Sequence, residues 1–295
     1  MSDTALATVT EAQADPATAA IFADIRDTMG IALVNLIWRH LAVSPAALSW
    51  SWHTLKPLYA SGVVPQAAWT LRQTLALPAM SAFNEQDRLA IANEDLDMVD
   101  AVLRTYERGN AQNLVALCAL RLVLTNLRGS SATAIAERLS ASTATVDSAK
   151  AEQAQREDRV TEAIPPLPAM AQLSAEIRAD IESLAEVWVP AQHRGMIPSV
   201  FRHLAHWPTL LAIYRCKLHA PPSPQPAIAE LAASAIEQAT VHATVLVTQL
   251  GPSAPIDQDT QDWLGTALDL FIDGMIGRGT VLVPAMRKML PRRPG

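Results

Sequence analysis

The chain has 295 residues and 31.7 kDa; half of the residues are hydrophobic and 18% are charged, which supplies a large core and excludes an intrinsically disordered chain. A formal net charge of −6, with no basic stripe to offset it, argues against general nucleic-acid binding. Two cysteines, Cys118 and Cys216, make no disulfide framework, so a reducing cytoplasmic setting is expected, with both thiols buried as small hydrophobes in apolar helices.

The N-terminus is acidic and Ala/Thr-rich, without a positive segment followed by an apolar one, so no signal peptide is expected. Helical periodicity runs from Pro16 to Met29 and stops at Gly30, a glycine of the type that closes helices. Ile31 to Leu41 follows. Ser44-Pro45 supplies an N-cap and a first-turn proline for Ala46–Ser61, which Gly62 closes. Pro65 opens another helix, Asn93–Arg108 forms the next, and Ala111–Leu127 is a strongly apolar one ending at Gly129. Ser142–Ala154 reads as a polar amphipathic segment. Gln155–Pro168 mixes charge with Pro165-Pro166 and Pro168 and reads as a linker. Beyond it come Ser174–Trp188, a helix carrying Arg202, Pro208–His219, a proline-rich loop at Pro221–Pro226, and helices at Ile228–Gln249, Thr260–Met275 and near Leu282–Leu290. Strand-type alternation is missing over any useful length, so the expected fold is all-α. The longest apolar runs, Leu114–Leu124 and Thr266–Val283, are broken by Arg121 and by Asp269, Asp273 and Arg278, so no membrane span is expected.

The chain repeats itself. Arg39-His40-Leu41-Ala42-Val43-Ser44-Pro45-Ala46-Ala47-Leu48 returns as Arg202-His203-Leu204-Ala205-His206-Trp207-Pro208-Thr209-Leu210-Leu211, each preceded by an apolar-aromatic pair, Ile37-Trp38 and Val200-Phe201. The period is too long for a solenoid unit. The expected architecture is therefore two tandem helical repeats, residues 1–154 and 169–295 joined by linker 155–168, forming a pseudo-twofold pseudo-dimer with a cleft between the halves. The repeated Arg-His pair has two readings: arginines that hold helix ends of the opposite half, or anion recognition in the cleft by the guanidinium fork. Apolar composition with several tryptophans suggests exposed apolar surface and hence a homodimer.

Phosphate-cradling glycine loops and H-E-x-x-H are absent. His203 and His206 stand three apart on one helix, without an acidic residue at ligand spacing, so no metal is expected.

Three segments together resemble the group I 2-haloacid dehalogenases: Asn35-Leu36-Ile37-Trp38-Arg39-His40-Leu41-Ala42, Asn110-Ala111-Gln112-Asn113-Leu114 with the apolar helix after it, and Ser199-Val200-Phe201-Arg202 with Leu204-Ala205 and Trp207-Pro208. Length, duplication and motif order fit from about residue 15 to 290. The resemblance implies an all-α, pseudo-duplicated hydrolase that removes halide from carbon 2 of small 2-haloalkanoic acids. It implies no metal or organic cofactor, and direct attack by a water that an aspartate activates. It places the family's tryptophan on Trp38, its apolar wall on Leu41, the water-holding asparagine on Asn113 and the serine beside the catalytic acid on Ser199, with Asn35 and Phe201 in the same substrate-binding motifs. At the position of the catalytic aspartate this chain has Val200. Valine has no lone pair, and the amide of Asn113 is no base near neutral pH. His203, Glu186 and His193 are the candidates for a relocated acid or base. The expected partner is a small carboxylic acid. Three functions stay open: cofactor-free dehalogenation, a divergent member that binds or transforms another small acid in the same cleft, or a purely structural or interaction protein made of helix hairpins.

Overall fold

The computed structural model describes residues 6–127, 156, 159–160, 163–251 and 253–291, and no strand forms among them. The expected helix Ser142–Ala154, the glycine stop at 129 and part of the linker lie outside the described residues.

Local signals position the first helices. Helix α1 (Pro16–Met29) starts where the Asp15 carboxylate accepts the Thr18 N–H at 2.8 Å, and ends at Gly30 with φ 63° and ψ 47°. That left-handed geometry disfavours any residue with a Cβ. Helix α2 is short (Leu36–Leu41), because residues 31–35 run as turn and extended chain up to Asn35. Ser44 and Pro45 open α3 (Pro45–Ala60) as expected, and α4 (Val63–Thr74) and α5 (Glu85–Leu89) follow.

The two helices expected on either side of Gly109 are one, α6 (Asn93–Leu127), 35 residues long. Gly109 is not a stop: a Cβ there would stand 2.9 Å from Asn35 Nδ2, so the glycine lets the start of α2 approach the α6 backbone. Residues 111–120 are buried all round, which makes α6 the central rod, with α4 along one side.

The second half begins with α7 (Ala175–Trp188), capped by Ser174, and continues with α8 (Ser199–Leu204), α9 (Pro208–Leu218) and α10 (Gln225–Val247). Two further helices were expected, with a break between 275 and 282. The structure instead carries the chain without interruption through α11 (Gln258–Asp269), a π-helical segment (Leu270–Ile276) and α12 (Gly277–Met289). Helices α10 and α12 pack along α6, so both ends of the sequence share one core.

Both copies of the repeated motif fold alike, as a short helix, a tight turn and a proline-started helix. Val43 and Ser44 donate their N–H groups to His40 O and Leu41 O at 3.0 Å; His206 and Trp207 donate to His203 O and Leu204 O at 3.3 and 2.9 Å. Each motif histidine also ties down a segment before its repeat: His40 Nδ1 bonds Ala7 O at 2.8 Å and His203 Nε2 bonds Pro165 O at 2.6 Å. The proline-rich stretch is thus held against α8, with Arg202 donating to Pro168 O (2.7 Å from a terminal nitrogen) and His206 to Pro166 O (2.8 Å). One expectation about the thiols needs correcting: Cys118 is buried, but Cys216 faces outward on α9. Among the described residues the strongly exposed large hydrophobics are Val43, Leu89 and Val245.

Candidate functional site

A cavity of about 40 Å³ opens where α2, α6, α8 and the π segment meet. At about 10–15 Å³ per water, that space holds a few waters. The start of α2 contributes Asn35 and Ile37, α8 contributes Ser199 and Val200, and the π segment contributes Phe271, Met275 and Ile276. Helix α6 presents Tyr106, Asn110 and Asn113, whose i, i+4, i+7 spacing puts them on one face. Trp188 closes one side. π-Helical turns recur at functional sites because they re-aim side chains that a regular helix would hide.

Most of the wall is apolar, and its polar members are incompletely satisfied. Asn35 Oδ1, Asn110 Nδ2 and Asn113 Nδ2 are buried with no hydrogen-bond partner among the described residues. Such atoms cost about 1–3 kcal/mol each if nothing binds them. The orientation of Asn113 is fixed by chemistry. Trp38 Nε1–H, which can only donate, reaches Asn113 Oδ1 at 3.0 Å, and the Tyr59 hydroxyl adds a longer contact at 3.5 Å. The unpaired Nδ2 of Asn113 is therefore a true donor.

Behind the wall lies a buried cation. Arg39 donates from a terminal nitrogen to Ser199 Oγ at 2.9 Å, which leaves the serine hydroxyl free to donate elsewhere. Burial holds the Arg39 guanidinium below its ordinary pKa, with Tyr106 acting the other way and Arg202 reinforcing the shift. Guanidinium still keeps its proton in a protein, so a positive charge sits one hydrogen bond from the cavity. The second motif copy does not mirror this link, since Leu36 stands where the first copy would need the counterpart of Ser199. Of the two readings of the Arg-His pair, the bonds of His40 to Ala7 O and of Arg202 to Pro168 O fit the structural one, while Arg39 reaches Ser199 of α8.

A second polar pair adjoins the cavity. The Tyr106 hydroxyl lies 3.2 Å from His203 Nδ1, and His203 Nε2 lies 2.6 Å from Pro165 O. A carbonyl only accepts, so Nε2 carries the hydrogen and Nδ1 accepts from the tyrosine. Burial is the main cause that pushes His203 down to about 4, helped by His206 and Arg202 and opposed by the Pro165 bond. Burial also raises the Tyr106 hydroxyl above its ordinary value.

Of the residues singled out from sequence, Asn35, Asn113, Ser199 and Val200 meet on this wall. Trp38 stands one layer behind, gripping Asn113. Phe201 is also behind the wall, edge-on to Trp188 at 5.5 Å and 83°. Leu41 is fully buried in the core and does not line the cavity. His203 touches the wall only through Tyr106. Of the other proposed bases, Glu186 is exposed on α7, and His193 lies against Gly274 of the π segment. Among the described residues no carboxylate lines the cavity. Val200, 1% exposed, is an aliphatic part of the wall. Sequence reasoning missed Tyr106, Asn110, Trp188, Phe271 and Met275; the signal for the first two was their helical register with Asn113. Among the described residues no three His, Cys, Asp or Glu side chains gather as a metal site, and no helix is long and apolar enough to cross a membrane.

No family model and no curated protein matches this chain. Solved structures do. A D-2-haloacid dehalogenase mutant in complex with D-2-CPA superposes with a TM-score of 0.61 at 16% identity, covering 96% of this chain and 94% of that one. A D-2-halacid dehalogenase mutant gives 0.61 at 18% identity, covering 95% and 96%, and D-2-haloacid dehalogenase in complex with L-LA gives 0.59 at 18%, covering 96% and 94%. The chain shares the all-α fold of these enzymes along nearly its whole length.

Proposed function

We propose that this chain is a cofactor-free hydrolase that binds a small 2-haloalkanoic acid in the cavity and displaces the halide by direct attack of water on carbon 2. The observation that carries the reading is a pair of unpaired buried amide donors, Asn110 Nδ2 and Asn113 Nδ2, beside the unpaired acceptor Asn35 Oδ1 in a mostly apolar wall. A short 2-substituted acid has the matching form: one end needs hydrogen-bond donors, the other is greasy. The carboxylate takes donors from Asn110 and the Ser199 hydroxyl, with the Arg39 charge behind. Asn113 Nδ2 positions the water, and Trp38 holds that amide in place. Val200, Phe271, Met275 and Ile276 surround the alkyl group and the halogen. The fold shared with 2-haloacid dehalogenases supports this chemistry, although fold by itself assigns none. In the same proposal, residues 1–154 and 169–295 are duplicated halves about a pseudo-twofold axis, and the cavity draws on both.

A second reading is favoured by one observation, the aliphatic Val200 where the resemblance places an aspartate. It is a divergent member that binds a small acid without releasing halide. Chloride release from 2-chloropropionate separates the two. Each also predicts that lactate raises the melting temperature, since a ligand bound only by the folded state stabilises it by mass action. Lactate and 2-chloropropionate that both leave the melting temperature unchanged would falsify the cavity assignment.

A further inference from the structure

Water displaces a halide slowly unless something takes its proton, and among the described residues no carboxylate lines the cavity. The group best placed for that task is not one side chain but two. We propose that Tyr106 and His203 form the proton acceptor of the cavity: Tyr106 takes a proton from water bound there as its own hydroxyl proton passes to His203 Nδ1. This inference rests on the dehalogenase reading and supplies the base that reading lacks.

The geometry sets the direction of transfer. Tyr106 lines the cavity, its hydroxyl stands 3.2 Å from His203 Nδ1, and the Nε2 bond of 2.6 Å to Pro165 O holds the imidazole in the tautomer with Nδ1 open. The two rings meet edge to face at 5.9 Å and 84°, so neither turns away without losing the contact. Among the described residues, the charged and titratable groups facing the pair are Arg39 from α2 and Arg202 and His206 from the segment of His203 itself. The two arginines favour negative charge on the tyrosine oxygen during transfer. With its pKa pushed down to about 4, His203 is neutral at physiological pH and has the basicity of an ordinary carboxylate. It thus supplies what an aspartate at position 200 would supply. The step balances: the water oxygen bonds carbon 2, the carbon–halogen bond breaks and the halide leaves with its electron pair. One water proton goes to Tyr106, and the tyrosine proton goes to His203, whose imidazolium is held by Pro165 O. Tyr106 is the catalytic residue and His203 acts through it.

The test uses the wild-type chain with Tyr106→Phe and His203→Gln. Chloride release from 2-chloropropionate gives kcat, and calorimetry with lactate gives affinity. Tyr106→Phe keeps the ring and removes one oxygen; its kcat should fall by ~100-fold or more while affinity for lactate changes little. The wild-type kcat should fall as pH drops through about 4, and His203→Gln should lose that acid limb. A Tyr106→Phe variant with wild-type kcat overturns the dyad and leaves dehalogenation standing. A wild type that binds lactate but releases no chloride overturns the dehalogenase reading instead, and imidazole ¹⁵N spectra then decide the dyad. A neutral Nε2–H ring whose Nδ1 signal moves with lactate in the wild type, and not in Tyr106→Phe, supports it. An Nδ1–H tautomer, or an Nδ1 signal that lactate leaves unmoved in the wild type, overturns it. A cavity that takes up no acid overturns both.

Discussion

Asn113 and Val200 face the same small space, yet their neighbours treat them differently. Asn113 is held by an indole N–H and a phenol, so its free donor is aimed and rigid; Val200 is held by nothing directional and merely excludes water. If Val200 occupies the position of a lost proton acceptor, Val200→Asp should restore one. Burial would raise the new carboxyl's pKa and the nearby Arg39 charge would lower it, leaving it ionised enough to act near neutral pH. Combined with Tyr106→Phe, which lacks the proposed acceptor, Val200→Asp should raise chloride release from 2-chloropropionate by ~10²–10⁴-fold over Tyr106→Phe alone. A Tyr106→Phe, Val200→Asp chain that folds, binds lactate and turns over no faster than Tyr106→Phe would remove position 200 from the reaction. These two residues were legible in the sequence because they belong to motifs whose order matches a known arrangement. Tyr106 and Asn110 belong to the same α6 face, but a tyrosine and an asparagine in a long helix look like ordinary helix residues until the neighbouring helices close over them. His203 was legible as a candidate but not its route to the cavity, which depends on a carbonyl of the proline-rich segment that accepts from its Nε2.

Elements were most legible where a single residue determines the backbone locally. Asp15, Gly30, Ser44-Pro45 and Ser174 mark helix ends that the structure reproduces, because caps and left-handed glycines act within a turn. The end expected before Gly109 was not there, for the opposite reason: this glycine lies within continuous helix and exists for a neighbour distant in sequence, as do Gly274 and Gly277. Gly279 shows this most sharply. A Cβ there would stand 2.5 Å from Trp188 Cζ2 and 2.7 Å from Asn110 Nδ2, two side chains of the cavity wall. Gly279→Ala should therefore lower stability by about 1–3 kcal/mol through overpacking and weaken lactate binding by pushing the wall inward. Gly251→Ala is the control, since nothing lies within 4 Å of a Cβ at that position. Denaturant unfolding and calorimetry on both variants check this; equal behaviour of the two would mean that Trp188 and Asn110 yield freely and that close helix approach is not what the glycine secures.

At the scale of the molecule, a repeated sequence need not mean two separable domains. Helix α6 belongs to the first half, yet it packs along α10 and α12 of the second, and residues 111–120 have no exposed face. Fully burying one leucine or valine contributes about 1.5–3 kcal/mol. Residues 1–154 alone would leave much of the α6 surface uncovered, a larger loss than the marginal stability of a domain tolerates. The seam is also polar: Arg39 ends on Ser199, Arg287 of α12 on Asp100 of α6 at 2.7 Å, and Trp207 on Asp95 at 2.9 Å. Residues 1–154 expressed alone should thus show no cooperative thermal transition by circular dichroism, and mixing with residues 155–295 should restore one together with the lactate-induced rise in melting temperature. An isolated 1–154 that melts cooperatively, at a temperature close to that of the whole chain, would mean that α6 finds a complete core within its own half. The cavity would then be a junction between two finished domains, free to open, and not a feature of one shared interior.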